Sequence, residues 1–131
     1  MAADRFLAGA AKAGPPPALV NERTGLELAS AVEIAGTSES RRRGLLGRDS
    51  LDPSRALVIA PCSSIHTFFM RFDIDVVFID RGGRVLKIVR DLPAWRIASS
   101  LRAYAVIEMA GGALQPDVAV GDRLRLRSGT V

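Results

Sequence analysis

The chain has 131 residues, of which 48% are hydrophobic, so it is long enough to fold as one domain around its own core without disulfides. Cys62 is the only cysteine and excludes an internal disulfide, which fits a reducing compartment. The formal net charge of +4 is only weak evidence for an anionic partner, and no run approaches the roughly 20 apolar residues of a membrane span, so we expect a soluble, cytoplasmic protein that does not bind membranes.

The N-terminal residues 1–17 differ from the rest of the chain. They show no periodicity and end in Gly14-Pro15-Pro16-Pro17, which cannot pair as a central strand. We therefore predict a disordered tail over 1–17 and a single domain over 18–131.

Short apolar runs, separated by turn signals, dominate the predicted domain. The segments 21–25 and 81–84 are typical of hairpin connections, because their glycines tolerate positive φ, and 120–122 is typical of a turn before the last strand. The pattern predicts a mainly β fold, a small β-sandwich or barrel-like single domain. The runs are Ala18 to Val20, Leu26 to Ile34, Ala56 to Ala60, Thr67 to Met70, Asp75 to Ile79, Val85 to Val89, Ala103 to Met109 and Arg123 to Leu126.

One short helix is predicted among these strands. Thr37 is a suitable N-cap, Glu39 favours a helix N-terminus, and Gly47 is the predicted stop. Because strands and helices do not alternate along the chain, the pattern argues against a Rossmann-like fold. We expect no cofactor.

Residues 61–75 hold the densest set of side chains that could take part in catalysis or ligand binding. His66 is the only histidine, so it is either a hydrogen-bonded core or rim residue or a proton-transfer group. A hydrolase could be built from Cys62 with His66 as base and Asp73 or Asp75 as orienter, although Cys62 is more typical of a small buried or loop thiol. Cys62, His66 and Met70 have a C-x3-H-x3-M spacing, but a single histidine is too few for a blue-copper or zinc site. We expect no bound metal.

Asp75 precedes the apolar run Val76 to Ile79, which is typical of a central strand. A carboxylate at that position needs a partner. Two interpretations stay open, a structural pair with Arg43, Arg48 or Arg71 and a ligand site at the end of the sheet. The predicted ligand-binding residues are Arg43, Arg48, His66, Met70, Arg71 and Asp75.

The arginines of the last strand and the aromatic residues bear on nucleic-acid binding. Arg123, Arg125 and Arg127 share one strand face, which is typical of a solvated surface. An RNA-binding sheet would also need exposed aromatic rings beside the charges, and the phenylalanines lie in runs that look buried, so we do not expect nucleic-acid binding. Trp95 lies in a loop, where it either covers the end of the core, the interpretation we favour, or closes over a ligand.

Several segments occur in a familiar order. They are Arg41-Arg42-Arg43-Gly44-Leu45-Leu46-Gly47-Arg48, His66-Thr67-Phe68-Phe69-Met70-Arg71 and Asp75-Val76-Val77-Phe78-Ile79-Asp80, with Glu108 and Val120-Gly121-Asp122 following. From about Leu19 to Leu126 the chain resembles the bacterial and archaeal family called domain of unknown function 192. The resemblance implies a compact, mainly β fold with a short helix and no established reaction.

These observations favour a non-catalytic domain that binds a small or peptide-like ligand or supports an assembly. The first alternative is a hydrolase that uses His66 with Asp75 or Cys62. The second is an anion or nucleic-acid binder that uses the arginines. The expected partner is an unidentified small molecule or a protein, and an exposed strand edge could mediate a homodimer.

Overall fold

A computed structural model describes residues 6–10 and 14–129 of the chain. Within these residues the secondary structure is almost entirely β, with a single short α-helix, α1 (Ser38–Arg43), and a 3-10 turn at Leu7–Gly9. The strands are β1 (Ala18–Asn21), β2 (Glu27–Ala29), β3 (Ala31–Ala35), β4 (Arg55–Ile59), β5 (Ser64–His66), β6 (Ile74–Ile79), β7 (Val85–Leu92), β8 (Ile97–Ser99), β9 (Ala105–Ala110) and β10 (Leu124–Arg127). The predicted small, mainly β fold with one short helix is confirmed.

A five-stranded sheet in the order β3-β4-β9-β6-β7 forms the centre of the molecule. The three-stranded sheet β10-β1-β2 contributes to the hydrophobic cluster on one face, and the two-stranded sheet β5-β8 contributes to the cluster on the other. All six residues of β6 are buried, as predicted for a central strand. We call the cluster shared with β1 and β10 the first core and the cluster shared with β5 and β8 the second core.

Strand alternation sends neighbouring residues of the central sheet to opposite cores. In β6, Ile74, Val76 and Phe78 enter the second core, whereas Val77 and Ile79 enter the first. β9 pairs with β6 in register, so that Val76 lies opposite Glu108 and Asp75 lies opposite Met109. Glu108 therefore faces the second core and Asp75 faces the first.

The predicted hairpins and the N-cap of the helix are confirmed. Residues 21–25 join β1 to β2, and 81–84 join β6 to β7, both as antiparallel pairs. The Thr37 side chain accepts a hydrogen bond from the Ser40 N–H, but α1 ends at Arg43 rather than near Gly47, because Gly44 adopts φ 47°. The helix joins β3 to β4, which pair in parallel, so the chain does contain one βαβ crossover that its pattern did not reveal.

The strand predicted over Thr67 to Met70 is wrong. The short strand β5 ends at His66, and the next residues turn sharply, with Phe69 at φ 64°. The partner of β5 is β8, which was not predicted because three residues are too few to show an alternating pattern. These two short strands place residues 61–72 over the second core.

Part of the predicted disordered tail packs on the domain. Phe6 is buried in the first core, and its N–H donates to the Arg81 carbonyl at 3.0 Å. The ring lies against Gly83, where a Cβ atom would come within 3.1 Å of Phe6 Cδ1. A large apolar side chain thus holds residues 6–10 in place, while residues 1–5 and 11–13 of the predicted tail lie outside the described residues. In the part of the chain that the structure describes, no helix has the length and apolarity needed to span a bilayer.

Candidate functional site

Asp75 ties the end of β7 and the loop after β9 to the central strand β6. It is 1% exposed, and its two carboxylate oxygens accept hydrogen bonds from the N–H groups of Asp91 at 2.8 Å and Leu114 at 2.9 Å. These bonds satisfy the carboxylate on the first-core face of the sheet. Asp75 therefore does not converge with His66, which borders the second core, and the predicted cluster of the two residues does not form.

The three arginines proposed as partners of Asp75 pair with other carboxylates. Arg43 contacts Glu39 at 3.1 Å in an exposed i,i+4 pair, and Arg71 contacts Asp49 at 2.6 Å on the surface. Arg48 holds Glu33 with two hydrogen bonds, at 3.1 and 2.9 Å, which lower the pKa of the Glu33 carboxyl. The structural Arg–Asp pair predicted from the sequence is wrong, because backbone N–H groups already occupy the Asp75 oxygens.

A cavity of about 140 Å³ lies between the end of α1, β5 and the second-core face of β4 and β9. Three of the predicted ligand-binding residues border it, namely Arg43, His66 and Met70. Arg48 borders an adjoining groove on the other side of α1, while Arg71 and Asp75 border neither. The residues of the cavity that carry polar or reactive groups are Arg41, Arg42, Arg43, Cys62, Ser64, His66, Met70 and Glu108.

Glu108 is the distinctive group of this cavity. It lies in the middle of β9 and is 5% exposed. Its carboxyl makes no hydrogen bond with the residues that the structure describes. Because no fully buried side-chain oxygen among these residues lacks a partner, the Glu108 oxygens are accessible from the cavity. Burial raises the pKa of Glu108 to about 7, and the positive charge of Arg48 offsets only part of that increase. Near neutral pH the group can therefore donate a hydrogen bond when protonated or accept one when ionised.

Gly44 closes the cavity over Glu108. Its backbone, at φ 47° and ψ −124°, ends α1 in a conformation that side-chain-bearing residues rarely adopt. A Cβ atom at this position would lie 3.9 Å from Glu108 Oε1 and 3.7 Å from Ile59 Cδ1. The glycine thus lets the end of the helix, with its arginines, come down close to the buried carboxyl.

Cys62 and His66 border the cavity without forming a nucleophile and base pair. The Cys62 thiol donates to the Ser64 carbonyl at 3.2 Å, and burial raises its pKa, which favours the unreactive thiol. His66 Nδ1 accepts a hydrogen bond from the Phe68 N–H at 3.3 Å. With Asp75 on the other face of the sheet, it is not available to orient His66 as the hydrolase alternative required. Over residues 6–10 and 14–129, no group of three or more His, Cys, Asp or Glu side chains is placed to hold a metal ion.

Sequence reasoning did not select Glu108 as a site residue. The signal was present in Ala105-Val106-Ile107-Glu108-Met109-Ala110, where a carboxylate interrupts a fully apolar strand. Because an ionised group is costly to bury, such an interruption indicates either a satisfied pair or a functional group. The pattern alone cannot separate these two outcomes, since Asp75 in β6 shows the same pattern and has two partners.

Two solved structures share this small, mainly β fold. One comes from Sinorhizobium meliloti 1021 and is described as a proposed transcription regulator. Its sequence is 20% identical, and the superposition has a TM-score of 0.72 and covers 88% of this chain and 98% of that chain. The other, a protein of unknown function from Novosphingobium aromaticivorans, is 20% identical, with a TM-score of 0.70 over 87% of this chain and 94% of that chain. At this level of identity the likeness establishes the fold alone.

The sequence comparisons identify the family. The model of the domain of unknown function 192 family, described as "Uncharacterized ACR", matches residues 19–126. The UPF0127 protein PH1112 of Pyrococcus horikoshii is 35% identical over 117 residues, which cover 82% of this chain and 96% of that protein. The chain belongs to this family, as its motifs indicated, and the family description names no reaction.

Proposed function

We propose that the protein is a non-catalytic domain that binds a small, polar, anionic molecule in the cavity between α1 and β9. The observation that carries the proposal is the Glu108 carboxyl, which is buried at the cavity and unpartnered among the described residues. Buried polar groups in folded proteins nearly always have a hydrogen-bond partner. A carboxyl that borders a cavity and lacks one is therefore placed to receive the partner from a ligand.

The two sides of the cavity select complementary groups on the ligand. Arg41 donates to the Gly36 carbonyl at 2.8 Å and Arg42 to the Ser38 carbonyl at 3.4 Å, and neither forms an ion pair with a described carboxylate. Their remaining N–H groups suit a carboxylate or a phosphate ester. Glu108 suits a carbonyl or hydroxyl oxygen when protonated, and an ammonium or amide when ionised. A small amino acid, hydroxy acid or phosphate monoester satisfies both sides.

The geometry favours binding over hydrolysis. Catalysis by Cys62 or His66 would need an activated thiolate or an oriented imidazole, and the raised pKa of Cys62 and the distant Asp75 supply neither. A ligand held by arginines and one carboxyl needs no such activation.

Ligand-observed NMR tests this proposal. Wild-type protein would be mixed at pH 6.5 with three named pools: the common L-amino acids, small hydroxy acids, and phosphate monoesters. We expect saturation transfer to at least one pool, and loss of the effect in Glu108→Gln and in Arg41→Ser/Arg42→Ser. Arg125→Ser, which removes an exposed arginine on β10, is the matched control and should bind normally. Equal binding by Glu108→Gln, or no binding of any pool by the wild type, would overturn the proposal.

We further propose that this binding takes place in the cytoplasm. Support comes from the single cysteine, which has no intramolecular disulfide partner. Fractionation of cells producing the tagged protein should recover it with cytoplasmic markers, and recovery with envelope markers would contradict the assignment. The predicted homodimer is tested on the same material by light scattering, where a mass near 14.0 kDa would refute it.

A further inference from the structure

An aromatic ledge lies on the surface next to the cavity. It consists of His66, Phe68, Phe69 and Trp95, from the turn after β5 and the loop between β7 and β8. Phe69 is 71% exposed and Trp95 is 56% exposed, and Ile97, which pairs with His66 across β5-β8, is 66% exposed. Trp95 therefore does not cover the end of the core as predicted, and Phe69 does not lie in a buried run.

The rings of the ledge form a continuous set of contacts. His66 stacks on Phe68 at 4.8 Å between centroids, and Phe68 stacks on Trp95 at 5.6 Å, both within 28° of parallel. The Phe69 ring meets Trp95 edge-on, at 4.6 Å and 60°. The ledge thus presents the exposed surfaces of Phe69 and Trp95 on a support of stacked rings.

The backbone holds these two rings outward at an energetic cost. Phe69 and Trp95 adopt φ of 64° and 67°, in the left-handed region that disfavours bulky residues. Each such conformation costs about 1 to 3 kcal/mol and persists only where the surroundings impose it. Strain of this kind concentrates at functional positions, and here it falls on the two most exposed rings of the ledge.

Thr67 imposes this conformation from below. It is fully buried, and its Oγ1 donates to the Pro93 carbonyl at 2.6 Å and accepts from the Arg96 N–H at 2.9 Å. Its backbone carbonyl accepts from the N–H groups of Met70 at 3.1 Å and Trp95 at 3.0 Å. One residue thus joins both loops of the ledge, and the rings are preorganised before any partner arrives.

The ledge carries positive charge, and the nearest acidic residues in sequence, Asp73 and Asp91, lie just outside its two segments. The two segments that carry it, 61–72 and 92–104, contain no Asp or Glu but include Arg71, Arg96 and Arg102. Arg71 is paired with a carboxylate on the neighbouring turn, whereas the Arg96 side chain makes only 3.4 Å contacts with backbone carbonyls. His66 belongs both to the ledge and to the cavity, so the cavity's arginines extend the positive surface beyond the rings.

We propose that the aromatic ledge binds single-stranded nucleic acid, with bases stacked on Phe69 and Trp95 and phosphates at Arg96 and the cavity rim. Rigid exposed rings beside arginines are the features by which proteins hold single strands without reading their sequence. The sequence argued against nucleic acid because the phenylalanines appeared buried, and the exposure of Phe69 removes that argument. Charge complementarity favours a polyanion. The outward face of β5-β8, where Ser64 and Ser99 lie beside His66 and the exposed Ile97, is not continuously apolar as a face for lipid acyl chains would be.

Fluorescence provides a direct test, because Trp95 is the only tryptophan. Twelve-nucleotide oligo(dT) and oligo(U) would be added to wild-type protein at low salt, and we expect quenching of Trp95 that reverses as salt is added. In anisotropy titrations with fluorescein-labelled oligo(dT), Phe69→Ala should bind about 10-fold more weakly, the effect of losing one base–aromatic stack. Arg96→Ser should also bind more weakly, and the matched Arg125→Ser should change the affinity less than twofold.

Three outcomes would overturn the proposal: no quenching by either oligonucleotide, equal weakening by Arg96→Ser and Arg125→Ser, or Phe69-dependent binding to phosphatidylglycerol vesicles without binding to oligonucleotides. The second would indicate diffuse charge attraction and the third a lipid site. Phe69→Ala should bind the small molecules of the cavity like the wild type, because Phe69 does not border the cavity, so failure of the ledge can be told apart from failure of the cavity.

Discussion

Asp75 and Glu108 lie one strand apart in the same sheet, and their surroundings are opposite. Each is an acidic residue in an apolar strand, and each is at least 95% buried. Asp75 accepts two backbone hydrogen bonds on the first-core face, whereas Glu108 faces the cavity on the second-core face without a partner among the described residues. The first carboxylate serves the fold, and the second is available to a ligand.

The difference arises from what covers each face. On the Asp75 side, the backbone at Asp91 and Leu114 brings two N–H groups to the carboxylate. On the Glu108 side, α1 ends at Gly44 and leaves a space above the carboxyl. Burial alone therefore does not indicate function; the presence or absence of a donor does.

The largest loss of stability is expected from removing the Asp75 carboxylate, which accepts two backbone hydrogen bonds. Asp75→Ala leaves two buried N–H groups without an acceptor, so the free energy of unfolding should fall by about 3 to 5 kcal/mol. Urea denaturation measures this loss. The nearby exposed Asp73→Ala is the matched control, and its effect should stay within about 0.5 kcal/mol. Similar losses in the two variants would show that the hydrogen bonds of Asp75 do not stabilise the fold.

The second prediction concerns pH. Because the pKa of Glu108 is raised from 4.5 to about 7, the folded state binds its proton more tightly than the unfolded state. The contribution of Glu108 to the free energy of unfolding should therefore be largest below pH 4.5 and should decrease as the pH rises to about 7, by on the order of 3 kcal/mol. Glu108→Gln should lack this decrease and be more stable than the wild type at pH 8. Arg23 lowers the pKa of the Asp122 carboxyl from its usual value of 3.8. The stability that this carboxylate contributes is therefore lost only when the pH falls below 3.8, outside the range in which Glu108 titrates.

Parallel pH profiles for the wild type and Glu108→Gln between pH 4.5 and 8 would contradict this prediction. Asp75→Asn provides a second comparison, because it alters the buried carboxylate on the other face. It should lower stability at every pH in this range instead of raising it at pH 8.

The third prediction concerns the buried hydroxyl of Thr67, which, like the Asp75 carboxylate, has hydrogen-bond partners in the fold. Thr67→Val keeps the shape but leaves the Arg96 N–H without its acceptor, at a cost of about 1 to 3 kcal/mol. It should also loosen the loop that carries Trp95. Urea denaturation gives the stability, and acrylamide quenching of Trp95 should increase. Thr24→Val, in an exposed turn, is the control for a threonine whose replacement should matter little.

The smallest loss of stability is expected from replacing Gly44, the residue after α1 that lies over Glu108. Gly44→Ala forces a Cβ atom onto a residue at φ 47°, which should cost about 1 to 2 kcal/mol. Gly36→Ala is the matched control, because a Cβ there meets no atom within 4 Å. Thermal unfolding should separate the two variants, and equal melting temperatures would indicate that Gly44 is not under conformational constraint.

The sequence predicted those parts of the fold that depend on local signals. Gly25 and Gly83 marked the hairpins, Thr37 marked the start of α1, and the apolar run after Asp75 marked the central strand. The β5-β8 pair was missed, because its stability comes from contacts between distant three-residue segments. Phe6 was likewise missed, since nothing in its neighbours indicates that it reaches the core.

The candidate site was only partly predictable. His66, Met70 and Arg43 were chosen for their chemistry and do border one cavity, but Asp75 was grouped with them because it follows closely in sequence. Strand alternation sends it to the other face once β6 is known to begin at Ile74. Glu108 enters the cavity only through the pairing of β9 with β4 and β6, a long-range arrangement that no local pattern encodes.

Carbon-detected NMR of the glutamate side-chain carboxyls tests the central claim, that Glu108 is buried at the cavity without a hydrogen-bond partner among the described residues. Comparison with Glu108→Gln assigns the Glu108 resonance, and a pH titration then gives its pKa directly. We predict a midpoint near pH 7, separated from those of the exposed glutamates. A midpoint near 4.5 would mean that the carboxyl is solvated or already paired, and would contradict the account of this site.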